Sequence, residues 1–192
     1  ATRALGAIGP VEGVAIVAAL GTTAGNREWA AREGAAKALP AFAADDKAIA
    51  FLFALLLDDE WPVRRAAAEG MAKAVGPTHP LLPKAVPQMT RALADDDGGV
   101  RRLAAEFLGA CGAAAASAVP DLTQMLGSRD KNDREYATKA LLRIGPAAAA
   151  AKDALIACYE AVSEDDSWRR SEVLEALAAV APEARRELPA LE

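Results

Sequence analysis

Apolar positions recur along this chain in short blocks at helical spacing, each block opened by a polar turn and closed by glycine or proline. The stretch Asp58 to Gly76, DDEWPVRRAAAEGMAKAVG, is the clearest: an acidic turn, a helix start at Trp61-Pro62, a small-residue helix and a glycine stop. Relatives stand at DDDGGVRRLAAEFLGACG (Asp95 to Gly112) and NDREYATKALLRIG (Asn132 to Gly145). Helix-ending pairs mark the period: Ile8-Gly9, Leu39-Pro40, Val75-Gly76, Cys111-Gly112, Ile144-Gly145 and Val180-Ala181. Their second members step by 31, 36, 36, 33 and 36 residues. Each step holds two helical patterns, A then B, so the pattern predicts a row of helical hairpins.

Taken in order, ATRALGAIG reads as the tail of a B helix, and Val11–Leu20 as the first full A helix. Gly21 to Gly25 reads as a turn, with Asn26 as N-cap of the B helix REWAAREGAAKAL. Glu33-Gly34 and Lys37-Ala38 recur as Glu69-Gly70 and Lys73-Ala74, an offset of 36 residues. The second A helix, about Asp45 to Leu57, is apolar nearly all round, as a helix covered on both sides would be. Pro83 and Pro87 place the reliable part of the third A helix near Pro87. A fourth hairpin (AAAASAVPDLTQMLG, then REYATKALLRIG) and a fifth (PAAAAAKDALIACYEAV, then SWRRSEVLEALAAVA) follow, and PEARRELPALE reads as another A-helix start. Both ends cut a repeat in mid-unit, so the expectation is one array over residues 1–192, a piece of a longer one, with boundaries near 9, 40, 76, 112, 145 and 181.

Composition sharpens this in two ways. Hydrophobic residues make up 53% of the 192 positions, but alanine dominates them and aromatics are only 5%, so the core must be built from closely approaching helices, with almost no sheet. The net charge of −5 and pI of about 5.1 argue against non-specific nucleic-acid binding, which needs a basic surface. The longest apolar run, Ala48 to Leu57, is half the length of a membrane span, and residues 1–10 carry no secretory signal pattern. Cys111 and Cys158 have no metal or redox spacing and read as reduced, buried thiols, which fits a cytoplasmic chain.

The strings VRRAAAEGMAKAVG, VRRLAAEFLGACG and DREYATKALLRIG, with the A-helix string AVPDLTQML before the last of these, resemble the HEAT-repeat superfamily, in particular its short bacterial branch related to the phycobilin lyase subunits. The resemblance covers essentially the whole chain. It implies an all-α, right-handed α-solenoid of about five hairpins, with the B helices lining a concave face and turn aspartates pairing with helix arginines between adjacent repeats. The Trp…Leu-Gly…Tyr pattern of tetratricopeptide repeats is not present in register.

Within that frame the acidic turns before Arg64, Arg101, Arg134 and Arg169-Arg170 read as helix caps and joints between repeats. A calcium loop would need a twelve-residue ligand spacing that is absent. The candidate binding stripe on the B helices comprises Glu33, Lys37, Glu69, Lys73, Arg102, Glu106, Glu135, Lys139 and Arg143. Glu33/Lys37, Glu69/Lys73 and Glu135/Lys139 also form i,i+4 pairs that support their own helices by about 0.2–0.5 kcal/mol each. Trp29, Trp61 and Trp168 fall at B-helix starts and Tyr136 near the equivalent place; they are either junction core or rim anchors for a partner. His79 is the only histidine, and no nucleophile–base set, P-loop or dinucleotide turn is present. The expected function is therefore a non-enzymatic scaffold, without cofactor or metal, that binds a protein or peptide; the alternatives are a bilin lyase or its accessory subunit, and a spacer within a larger protein.

Overall fold

The computed structural model describes residues 10–162 and 167–182; residues 1–9 and 183–192, including the half-repeats at both ends, and the acidic turn at 163–166 lie outside the described residues. No strand occurs among the described residues. The α-helices are α1 (Pro10–Ala24), α2 (Trp29–Ala38), α3 (Asp46–Leu55), α4 (Trp61–Ala74), α5 (Leu82–Ala92), α6 (Gly98–Ala110), α7 (Val119–Leu126), α8 (Lys131–Ile144), α9 (Lys152–Ala161) and α10 (Ser167–Val180), with 3-10 turns at Leu39–Phe42, Gly112–Ala118 and Gly145–Ala151. No helix among them is long and apolar enough to cross a membrane.

The chain divides into two compact units, Ala1–Gln88 and Met89–Glu192. In the first, the B helices α2 and α4 pack side by side, with the A helices α1 and α3 against them. In the second, α6, α8 and α10 form the B layer, α8 touching both neighbours, with α7 against α8 and α9 against α10. Fully buried Leu39, Ile49, Leu52 and Met71 fill the first core, and Leu108, Leu122, Leu141, Leu155 and Leu177 the second. Each such side chain stabilises its unit by roughly 1.5–3 kcal/mol.

The alanine-rich B helices do approach closely, and two glycines set the distance. A Cβ on Gly70 of α4 would lie 2.9 Å from Leu52 Cδ2 and 3.1 Å from the Ala36 carbonyl of α2. A Cβ on Gly109 of α6 would lie 2.9 Å from Ala140 Cα of α8. Both contacts are shorter than two carbons tolerate, so each position accepts only glycine without a shift. At the ends of α6 and α8, Gly112 and Gly145 take φ of +57° and +67°, which is why glycine closes those two helices.

Several boundaries differ from the sequence reading. α1 continues through Gly21, Thr22 and Thr23: the threonine hydroxyls bond back to the Ala18 and Ala19 carbonyls inside the helix instead of ending it, and Gly21 leaves room for the Phe51 ring. α5 starts at Leu82, five residues before Pro87; Pro83 lies in its first turn, and Pro87 forgoes a single helical hydrogen bond. The offset of 36 residues also proves to be a property of helix ends only. The N-caps Glu28 and Glu60 are 32 residues apart, and α4 is longer than α2 by four residues, 14 against 10. Gly34 and Gly70, equated by that offset, differ accordingly: Gly34 is exposed with no atom near its Cβ position.

Candidate functional site

One turn geometry precedes four of the B helices. Asn26 Oδ1, Asp58 Oδ1, Asp95 Oδ1 and Ser128 Oγ each accept from the backbone N–H two residues on, at 2.8, 3.0, 2.9 and 3.2 Å. Those donors are the N-cap residues Glu28, Glu60, Asp97 and Asp130. Asn26 is thus not the N-cap but the residue that shapes the turn before it. Only Asp97 and Asp130 then cap with their own carboxylates, onto Val100 and Asn132; Glu28 and Glu60 do not.

Four residues into each helix an arginine reaches back to the same turn. Arg32, Arg64, Arg101 and Arg134 each donate through one terminal nitrogen to two turn carbonyls, at 2.7–3.1 Å. The remainder of the guanidinium can serve the next repeat. Arg32 grips Asp58 with a two-pronged fork of 2.6 and 2.7 Å. Arg101 holds Asp133 through Nε at 2.8 Å, and both its prongs fall on Oδ2. Asp133 is not the turn residue of its repeat. Ser128 occupies that place and donates its hydroxyl to Asp133 Oδ2 (3.0 Å), so the carboxylate has moved one helical turn onward. The aspartate–arginine joint implied by the family resemblance is present within each unit, by two different routes.

Hydrogen bonding to Arg32 holds the Asp58 carboxyl below the ordinary aspartate range, against the opposing effect of burial. A depressed native pKa means the unfolded chain binds more protons in acid, so this contribution is present above the unfolded value, about 3.9, and is lost as pH falls through the lower native one. The urea midpoint of the protein should therefore exceed that of Asp58→Asn at neutral pH, and the gap should shrink steadily below about pH 4. A gap independent of pH would show that the carboxylate charge does not contribute.

With the arginine at the fourth position occupied by these joints, the B-helix surface is left to positions one, five, nine and thirteen. In α2 these carry Trp29, Glu33 and Lys37; in α4, Trp61, Arg65, Glu69 and Lys73. In α6 the fifth and ninth are Arg102 and Glu106, and in α8 the fifth, ninth and thirteenth are Glu135, Lys139 and Arg143. The structure thus brings the predicted stripe together separately within each unit. In the first, Glu33 and Lys37 face Trp61, Arg65 and Glu69 across a groove of about 360 Å³ floored by Pro62 and Ala66. In the second, Glu106 faces Tyr136, Lys139 and Arg143 across a groove of about 210 Å³ whose floor is Gly109 and Ala140.

Most of the charges are already engaged. Lys37 pairs with Glu33 and Lys73 with Glu69, both at 2.6 Å, and Arg102 lies 3.5 Å from Asp130. The Lys73 hydrogen bond, aided by Lys37 and Arg65, holds the Glu69 carboxyl below its usual range. Lys139 is bound to Glu135, lies 3.6 Å from Glu172 of α10 and sits over the Tyr136 ring. The Glu135 hydrogen bond raises its pKa, while burial raises that of Glu172. Arg65, Glu106 and Arg143 make no hydrogen bond or ion pair among the described residues.

The three indoles are not core. Trp29, Trp61 and Trp168, all in the first turn of a B helix, are 44%, 50% and 57% exposed. Tyr136, one turn further in, is half-buried. Two residues absent from the predicted stripe prove to belong to it: Arg65, concealed by aligning Glu33 with Glu69, and Glu172, which only the packing of α10 on α8 brings to Lys139. The second arginine of each VRR doublet was the available signal for Arg65.

His79 Nδ1 accepts from the Leu81 N–H (3.1 Å), a turn contact. Cys111 is buried and its pKa is pushed up to about 11, whereas Cys158 is half-buried rather than buried, since it borders an open groove between α7 and α9. No cluster among the described residues could hold a metal ion.

Compared with known proteins, residues 1–73 match the family model for HEAT repeats. No curated protein matches the sequence. Among solved structures, the chain is similar to one engineered protein at 23% identity over 94% of this chain and 89% of the other, with a TM-score of 0.60. It is similar to another engineered protein at 22% identity over 89% of this chain, of which it spans 50%, with a TM-score of 0.66. The complex of CpcE and CpcF of phycocyanin lyase from Nostoc sp. PCC7120 matches at 19% identity over 85% of this chain and 98% of the other, with a TM-score of 0.59. At these identities the similarity is one of fold, and the fold is that of an all-α helical-repeat solenoid.

Proposed function

We propose that this chain, which carries HEAT repeats over residues 1–73, is a non-enzymatic scaffold that binds a protein or peptide on its B-helix face. One observation carries the reading: each unit presents on that face a groove between two B helices drawn together by a glycine, rimmed with charged side chains. The first groove adds a half-exposed indole, the kind of side chain that anchors protein interfaces. A net charge of −5 supports a polypeptide rather than a nucleic-acid occupant, and free Cys111 and Cys158 suit a reducing, cytoplasmic setting. The CpcE–CpcF likeness, at 19% identity, is one of fold and carries neither a tetrapyrrole nor a lyase step to this chain.

Charge reversal tests the face. Lys37→Glu and Lys73→Glu leave the core untouched, because both ammonium groups are well exposed. Combined with Lys139→Glu, they should abolish retention of the proteins that the tagged wild-type chain captures, while circular dichroism and the thermal midpoint of the Lys37/Lys73 pair stay close to wild type. Undiminished retention by the triple variant would remove the B-helix face as the binding surface.

A further inference from the structure

The two grooves differ in the charge they leave uncompensated. In the second, Arg143 and Glu106, neither with a hydrogen bond or ion pair among the described residues, face each other across the groove, so their charges offset one another. In the first, the Glu33–Lys37 and Glu69–Lys73 pairs are closed at 2.6 Å, which leaves the Arg65 guanidinium as the lining charge without a hydrogen bond or ion pair among the described residues. Arg65 stands one helical turn from Trp61 on the same face of α4, and both side chains are exposed. Pro62 and Ala66 supply an apolar floor between the α2 and α4 rims.

We infer that the first groove takes an acidic segment of a partner protein in which carboxylates alternate with apolar or aromatic side chains. The inference rests on the binding-face reading above and assigns its chemistry. A guanidinium fork matches a carboxylate with two parallel N–H···O bonds, and an exposed indole beside it covers an apolar side chain at small entropic cost. A phosphate would suit Arg65 equally, but a nucleic-acid strand brings a charge at every residue. Glu33 and Glu69 flank the groove and repel such a strand, whereas a peptide can place one carboxylate on Arg65 and neutral residues opposite the two glutamates. Trp29 is at the same first-turn position of the adjacent helix α2, so a second apolar residue of the segment has an anchor of its own.

The test uses the intrinsic fluorescence of Trp61 in the full chain carrying Trp29→Phe and Trp168→Phe. The probes are three: a peptide alternating glutamate with phenylalanine, its counterpart alternating lysine with phenylalanine, and an oligothymidylate. The glutamate peptide should shift Trp61 emission saturably, with affinity that weakens as salt is added. Arg65→Glu should weaken it by about tenfold or more, and Arg65→Lys by less, since the charge remains and the fork is lost. Arg65 is exposed, so both variants should keep the wild-type melting profile. Equal binding of the lysine peptide, displacement by oligothymidylate, or indifference to Arg65→Glu would each overturn the acidic-segment assignment while leaving the B-helix face as a binding surface. If neither peptide moves the emission, the assignment falls. If, in addition, the Lys37/Lys73/Lys139 variant retains its captured proteins, the face itself falls with it.

Discussion

Arg101→Met should lower the unfolding free energy of the second unit by about 3–5 kcal/mol, the cost of leaving a buried carboxylate without its cation. Asp133 is 1% exposed, and its Oδ1 has no hydrogen-bond partner among the described residues. Removing Arg101 strips Oδ2 of both guanidinium prongs and leaves only the Ser128 hydroxyl. The Asp95 and Asp96 carbonyls lose a donor in the same step. The double variant Arg101→Met/Asp133→Leu should recover most of the loss, because the buried charge is then gone, but not the part due to the turn carbonyls. Trp168 belongs to this unit, so urea unfolding followed by its fluorescence, in a Trp29→Phe/Trp61→Phe background, measures the effect locally. A single variant within about 1 kcal/mol of wild type would mean that water reaches Asp133 when Arg101 is gone.

Gly109→Val should come next, destabilising the second unit by about 1–3 kcal/mol and prising open the groove between α6 and α8. Its Cβ would stand 2.9 Å from Ala140 Cα, a backbone atom that cannot swing aside, with Ala140 Cβ and Arg143 Cδ each at 3.4 Å. The helices must separate, and separating them also moves Glu106 away from Tyr136, Lys139 and Arg143. Gly109→Ala should be milder, because alanine recovers close to 1 kcal/mol of helix propensity against the same contact. Gly34→Ala is the control. With open space around its Cβ position it should stabilise the first unit by about 0.5–1 kcal/mol. Urea midpoints of the three variants give the order; a Gly109→Val midpoint at or above wild type would show that α6 and α8 are not held at van der Waals limit.

Much of the fold was legible because the repeat signals are local. Proline at the start of α4, glycine after α6 and α8, and apolar residues such as Val100, Ala104 and Leu108 act within one helix, and all fell where the spacing predicted. The candidate site was legible only in part. Glu33, Lys37, Glu69 and Lys73 were found through their i,i+4 spacing, which is again local. Arg65 escaped because α2 and α4 differ by a helical turn, so alignment by helix ends shifts every position at their starts. Whether the tryptophans were core or rim also had no local answer, since it depends on which helices pack against each first turn.

The amino-acid sequence by itself determined the repeating hairpins, the all-α class, the placement of arginine four residues into each B helix and the absence of familiar catalytic motifs. All of these are written in periodicity and in residues that act on their own backbone. Tertiary structure alone decided which arginine prongs cross to the next repeat. It decided that Asp133 replaces the turn carboxylate in one joint, that Glu172 joins Lys139, and that Arg65 stands beside Trp61 without a hydrogen bond or ion pair among the described residues. The reason is geometric: a charge is free or satisfied according to what lies within about 3 Å of it, and the atoms concerned come from helices some thirty residues apart in the chain.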